Sequence, residues 1–399
     1  MRISAFLLFL CGTIAVTSCQ KNNDVDNGVN YAVTVNYPAT YNAVAAAEVT
    51  VVLKNLTTNQ QTALVTNAAG TANFEGLTPG NYSITVSKEL STTAAEALTG
   101  VAQEVFLNAT EPQVQIIAEG SKTITLTGSA IGGWVIKEFY YSGAPNSFYF
   151  YDAFIEIYNN STDTLYADGL LIGNTKASSS STTAVYGFIA EGRDDVYLAT
   201  ILRIPGSGKE HPVAPGKSIV IATDAINHKD DPNGNANSPV NLGQGIADFE
   251  VFFYVNPNTP DTDNPDVPNV DILHSYSTTL FDYLPGVFGS GLVIFEHSDA
   301  ASLPKFTEPN TTSSSLYAQV PKASIIDGVD AVANSNIRTE QKRLPIGIDA
   351  GMNTVGSTYT GTSLRRKVKQ EINGRKILQD TNNSSNDFEV ANTPTPKGW

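Results

Sequence analysis

The chain has 399 residues; with 41% of them apolar and 16% charged, it is too apolar for a disordered chain and too poor in charge for a long-helix or coiled-coil protein. Its 24 basic residues against 39 acidic ones give a net charge of −15, which leaves no overall positive field for nucleic acid. The length suits two or three domains, each able to bury a core.

The first nineteen residues read as an export signal, with a charge at Arg2, an apolar run from Ile3 to Val16 and small residues up to Cys19. That run falls short of the about 20 apolar residues a bilayer span needs, so its removal is expected. Val16, Thr17 and Ser18 ahead of Cys19 resemble the lipobox of bacterial lipoproteins, which implies cleavage after residue 18 and a lipid on the Cys19 thiol. The other cysteine, Cys11, lies in the discarded segment, so the mature chain has no thiol left for a disulfide, a zinc site or a nucleophile. Residues 19–28 are polar and aperiodic, as expected of a flexible tether. Their Asp24 and Asp26 resemble a diluted form of the acidic signal that sends Bacteroidota lipoproteins to the cell surface.

From Tyr31 onward the apolar residues alternate with period two between turn residues, the pattern of an all-β sandwich. Val33 with Val35, Val49 with Val51 and Leu53, and Tyr82 with Ile84 and Val86 each define one face of a strand. Residues 93–98 are Ala-rich and read as a short helix. Pro79 and Gly80 suit the central positions of a type II turn, with Gly80 at φ > 0, and predict a hairpin pairing the Phe74 strand with the Tyr82 strand. The phrase from Gly70 to Tyr82, with Phe74, Leu77, Pro79, Gly80 and Tyr82, resembles the prealbumin-like regulatory module of carboxypeptidases, also found as a spacer in bacterial surface proteins. The resemblance spans residues 29–118 and implies a structural or interaction unit without a reaction of its own.

A second region begins near Lys122, where residues 123–127 either close the first sandwich or open the next. Trp134 to Tyr141 and Phe148 to Tyr158 carry ten aromatic residues around a Gly-Ala-Pro-Asn turn. Phe154, Glu156 and Tyr158 share one strand face, and Ala153, Ile155 and Ile157 the other; both faces are apolar enough for a central strand. Phe154 to Ser161 with Asp168 and Gly169, then Val213 to Ile221 with its Pro215-Gly216 turn, then Gly289 to Glu296, and finally Ser363 to Arg366 with Asp387 and Phe388 resemble, in order, the pieces of a lamin tail domain. The resemblance implies an immunoglobulin-like sandwich over residues 122–399, with long insertions at 174–212 and 224–271 and an unassigned stretch at 298–362. Inserted loops are where a binding function is expected.

Together the segments resemble a family of Bacteroidota surface lipoproteins with no established reaction. The resemblance implies an outer-membrane lipoprotein, lipid-anchored and exposed at the cell surface. It acts as a ligand- or partner-binding accessory, with a TonB-dependent outer-membrane transporter as a candidate partner. The alternatives are an adhesion or scaffold protein without a small ligand and, more remotely, a glycoside hydrolase. No Gly-x-Ser-x-Gly elbow and no complete Gly-x-x-x-x-Gly-Lys-Ser/Thr phosphate-binding loop is present, so no enzyme activity is expected.

Candidate sites follow from chemistry. Asp261, Asp263 and Asp266, and separately Asp380 and Asn382, place side-chain oxygens at alternate loop positions, the pattern that makes calcium a candidate cofactor; Asx-turns account for the same residues. Tyr149 and Tyr151 alternate with Phe148 and Phe150 and are the candidate row for stacking a flat or sugar ligand, if they are not core. Glu138 and Glu156 are the first carboxylate pair to consider for glycoside hydrolysis, and otherwise rim residues of a strand. The four histidines, His211, His228, His274 and His297, lack metal-ligand spacing and are expected on the surface or in loops. Arg365, Arg366, Lys367, Lys369, Arg375 and Lys376 form the one basic concentration, read as a partner-facing patch or a protected edge strand.

Overall fold

The computed structural model describes residues 28–39, 41–99, 105–130, 133–182, 184–243, 245–259, 261–372 and 374–399. The export signal and the expected lipid attachment at Cys19 lie outside the described residues.

Period-two patterning becomes two facing sheets in the N-terminal part. One carries the strands Thr71–Leu77, Val29–Asn36 and Gly120–Thr125; the other runs Gln61–Val65, Thr50–Asn55, Gly80–Leu90, Val105–Ile116 and Thr127–Ala130. Val33 and Val35 meet Val51, Leu53, Ile84 and Val86 in one buried cluster. The Ala-rich stretch forms the helix Thr92–Thr99 and buries Ala95 in the same cluster. Residues 120–130 pair with strands of this unit.

The Phe74 and Tyr82 strands do not form the expected hairpin. Thr71–Leu77 pairs with Val29–Asn36, whereas Gly80–Leu90 pairs with Thr50–Asn55 and Val105–Ile116, so the chain crosses between sheets at Pro79. Gly80 is not at positive φ; Gly76 is, at 65°. The crossing is fixed by Tyr82, whose hydroxyl donates to the Thr78 carbonyl at 2.7 Å while its ring stays in the core.

The C-terminal part is a larger pair of sheets. One is ordered Phe249–Glu250, Ser218–Ala222, Phe154–Asn159, Trp134–Tyr140, Ser363–Arg366, Phe388–Ala391. The other is ordered Lys305–Thr307, Leu316–Val320, Val196–Arg203, Leu171–Thr175, Gly291–Phe295, Ile325–Asp330, with Asp271–Ser275 also on Val196–Arg203. Ile136, Phe139, Ile155, Ile157 and Ile221 of the first sheet pack on Ile172, Leu202, Leu292, Ile294 and Val329 of the second. The Pro215-Gly216 turn is present, with Gly216 at φ 77° and Lys217 N–H donating to Ala214 C=O at 3.0 Å.

The stretches expected as insertions are partly sheet: Val196–Arg203 lies in the first of them, and Leu316–Val320 and Ile325–Asp330 in the unassigned one. The rest covers outer faces. Val240, Leu242, Ala247 and Val267 seal Tyr140, Phe154 and Val220, while Ala300, Leu303, Leu344 and Ile348 seal Leu198 and Val293. Central strands that are apolar on both faces need such cover, since burial stabilises by roughly 25 cal/mol per Å². The described residues are all-β, in two pairs of sheets with two further two-stranded ribbons, and none of their helices is long and apolar enough to cross a membrane.

Candidate functional site

At one end of the six-stranded sheet, register brings three segments together. Phe154 lies opposite Ala222 and Glu250 beside it, so residues just before Phe154, just after Ala222 and just after Glu250 emerge at the same end. A cleft of about 610 Å³ opens there, lined among others by Tyr151, Asn233, Phe281 and the carboxylates of Asp224, Asp261 and Asp282.

Backbone hydrogen bonds hold its walls. Glu250 accepts from Ala225 N–H at 2.7 Å and from Asn264 N–H at 2.8 Å, and the Asn264 side-chain amide donates to Ala225 C=O at 2.7 Å. One carboxylate thereby clamps the Asp224 loop to the Asp261 loop. Asp261 itself accepts from Phe253 N–H at 3.0 Å and Thr262 N–H at 2.7 Å. His228 is fully buried below; its Nε2–H donates to Asp224 C=O at 3.0 Å, so Nδ1 accepts from the Tyr149 hydroxyl at 2.6 Å. Burial pushes His228 down to about 4, which keeps this relay neutral.

Asp224, Asp261 and Asp282 each bring a carboxylate oxygen within 4.8 Å of the other two. Burial, then the charges of Asp261, Glu250 and Asp152, push Asp224 up to about 8. Burial, then Asp224 and Asp261, push Asp282 up to about 9, against the pull of the Tyr283 N–H. Burial also raises Asp261 and Glu250. None of the residues lining the cleft is Lys, Arg or His. Such a donor set attracts protons, hard cations or ligand hydroxyls and amines.

The residues expected from sequence divide sharply. Asp261, Asp263 and Tyr151 line the cleft. Asp263 accepts from Asn269 Nδ2 at 2.7 Å and Asp266 is exposed, so the alternate spacing of that loop does not gather its oxygens. Tyr149 supports from behind through His228, and residues 148–151 form no strand, so no outward-facing row exists. Instead the Tyr151 ring stacks on Phe150 at 4.7 Å and meets Tyr149 edge-on at 5.5 Å. The Asp380 carboxylate meets Arg366 at 3.3 Å, and Asn382 turns at φ 50° with its carbonyl accepting Ala350 N–H.

Other expectations are corrected too. Glu138 and Glu156 face each other across adjacent strands but are fully buried, not on a rim. Glu138 is held by Arg365 and Ser363, Glu156 by Lys137 at 2.7 Å and Ser218, which closes this pair to any substrate. The basic concentration divides: Arg366 is buried among Asp327, Asp380 and Asp387, whereas Lys369 stays exposed on the two-stranded hairpin that pairs Val368–Ile372 with Arg375–Leu378. His228 lies in a loop, though buried, while His274 is buried on the strand Asp271–Ser275. His211 does join an acidic group, with Asp168 and Glu210, but Asp168 is occupied by the N–H groups of Gly208, Glu210 and His211.

Asp224 and Asp282 were not legible as site residues. The available signal is Asp282 itself, an acid set in the apolar run Leu280, Phe281, Tyr283, Leu284, where burial of a carboxylate calls for a reason.

Fold and cleft define an all-β protein with an acidic cleft at its loop end. Residues 214–395, which include Asp224, Asp261 and Asp282, match the family model described as "Protein of unknown function (DUF4876)". The crystal structure of a DUF4876 family protein from Bacteroides thetaiotaomicron is similar over 90% of this chain and 94% of that one, with 28% identity and a TM-score of 0.57. Both findings are likenesses of this chain to DUF4876 proteins, the family model covering its C-terminal part. A DUF3823 family protein from Bacteroides uniformis also matches, over 53% of this chain and 94% of that one, at 10% identity and a TM-score of 0.17, too distant to inform the fold. No curated protein matches the sequence.

Proposed function

We propose that this protein is a cell-surface lipoprotein of the outer membrane that binds an extracellular polyhydroxylated ligand, and that it does so without catalysis. On this reading the N-terminal sheet pair is a prealbumin-like spacer on a Cys19 lipid anchor, and the C-terminal sheet pair is a lamin-tail-like recognition domain serving an outer-membrane transporter. The observation that carries it is the cleft, whose walls come from four loops fixed to a rigid, doubly covered sheet. Tyr151 and the half-exposed Phe281 offer ring faces for a sugar, and the carboxylates and Asn233 offer partners for its hydroxyls. A formed cleft favours this over a flat adhesive surface.

The test is a glycan panel titrated against the purified full chain, read by tyrosine fluorescence. Binding of at least one glycan is expected, weakened at least about tenfold in Tyr151→Ala, the loss of about 1.4 kcal/mol of contact. No binding, or binding indifferent to Tyr151, overturns the reading. For the anchor, Cys19→Ser is expected to release the protein from the membrane fraction.

A further inference from the structure

We infer that Asp224, Asp261 and Asp282 form a binding site for one divalent calcium ion at the floor of the cleft. This goes beyond sugar recognition and does not depend on which organic ligand the cleft takes.

The first observation is distance. A calcium ion bound at 2.3–2.6 Å keeps any two of its oxygen ligands within about 5 Å of each other, and the three carboxylates satisfy that limit, each with an oxygen within 4.8 Å of the others. The second is the state of Asp282. Its side chain is only 2% exposed yet lines the cleft, and Oδ1 reaches no hydrogen-bond donor among the described residues. A carboxylate oxygen withdrawn from water and left without a partner costs several kcal/mol unless something charged meets it. The third is the company. Glu250 and Asp152 add negative charge from behind, both already engaged with backbone N–H or hydroxyl groups, and the cleft lining holds no basic side chain.

The donors select the ion. They are all oxygen, which favours calcium or magnesium over zinc or copper. They come from three separate loops, with Thr259 and Asn233 able to add neutral oxygens. That irregular, roomy set suits the six to eight ligands of calcium better than the strict octahedron of magnesium. Three carboxylates open to a cleft resemble the extracellular class of calcium sites, with Kd of about 10⁻⁴ to 10⁻³ M.

The rival group, Asp168, Glu210 and His211, supplies the internal control, since Asp168 holds three backbone donors and the group has no buried oxygen without a partner such as Asp282 Oδ1. The experiment titrates calcium chloride and magnesium chloride into the chelator-treated full chain, by calorimetry and by thermal unfolding. At about ten times Kd, calcium is expected to raise Tm by about 3 °C. Asp282→Asn and Asp224→Asn are expected to weaken binding at least about tenfold, while Glu210→Gln binds as the parent does. Two variants from different loops guard against a folding defect in one. No heat and no Tm shift up to about 10 mM calcium, an order above the range of such sites, overturns the inference. So does loss of binding in Glu210→Gln, or a magnesium response equal to that of calcium. Glycan binding without a calcium response would sink this site while sparing the proposed function, and the reverse result would do the opposite.

Discussion

Two triads of acidic residues stand in the same C-terminal sheet pair and differ in one respect. Asp327, Asp380 and Asp387 surround Arg366, whose guanidinium also donates to Ile136 C=O at 2.8 Å and Gln379 C=O at 3.0 Å and lies over the Phe388 ring. Asp224, Asp261 and Asp282 surround no cation of the chain. The first triad has a counter-ion from the polypeptide itself, since Arg366 meets all three carboxylates, although one guanidinium against three acids still leaves burial pushing Asp327 up to about 7 and raising Asp387. The second leaves its charge open, at a cleft, and the folded protein pays for it with carboxyl groups pushed up to about 8 and 9. Two clusters of like composition thus do opposite work, one holding strands together and the other waiting for something to bind.

Removing the internal cation should have the largest effect. Arg366→Met keeps the apolar stem but strands three buried carboxylates, and loss of one partner from a buried ion pair typically costs about 3–5 kcal/mol. Urea denaturation is expected to show a loss of that size. A loss under about 1 kcal/mol would mean that the carboxylates simply take up protons, and the contrast between the triads would collapse.

A smaller effect of opposite sign is expected at the open triad. In chelator-treated protein Asp282→Asn removes one of three carboxylates that repel one another and should raise stability by about 1–2 kcal/mol. Two full charges 4.8 Å apart at an effective dielectric of 20 would repel by about 3 kcal/mol, and protonation already relieves part of that. Asp380→Asn, the same change beside Arg366, should lower stability in the same assay. Equal signs for the two substitutions would erase the distinction.

Sequence patterning reached the strands but not their partners. Ile155 and Ile157 are legible as core because alternation is a local property, and the Pro215-Gly216 turn is legible because one dipeptide sets it. The Pro79-Gly80 dipeptide misled, since a turn within one sheet and an arch between two sheets begin alike, and only the long-range pairing of Thr71–Leu77 with Val29–Asn36 decides. The site fails for a related reason. Asp261 and Asp380 sit in loops of the same Asp- and Asn-rich chemistry; what separates them is that Arg366 reaches Asp380, whereas Asp224 and Asp282 reach Asp261. Spacing rules search within a loop, and this constellation draws one residue from each of three.

His274 shows the remaining way to bury an ionisable group, which is to give up the charge. It lies on Asp271–Ser275, only 8% exposed, with Nε2–H donating to Leu316 C=O at 3.0 Å. Burial, with Lys305 adding a like charge, pushes it down to about 4, and the hydrogen bond only partly opposes this. The folded value lies below the unfolded value of about 6.5, so the neutral ring's contribution is complete above pH 6.5 and is lost as pH falls toward 4. With solvent screening the loss between pH 7 and pH 5 should be about 1 kcal/mol. Carboxyl groups raised in the fold, such as Asp152 at about 6, give the opposite slope over the same range, so the parent's total pH profile mixes the two. The difference between parent and His274→Gln isolates the ring, because glutamine retains a donor for Leu316 and has no proton to gain. A pH-independent difference would mean that His274 takes up its proton alike in the folded and unfolded chain, so that its burial does not hold the ring neutral.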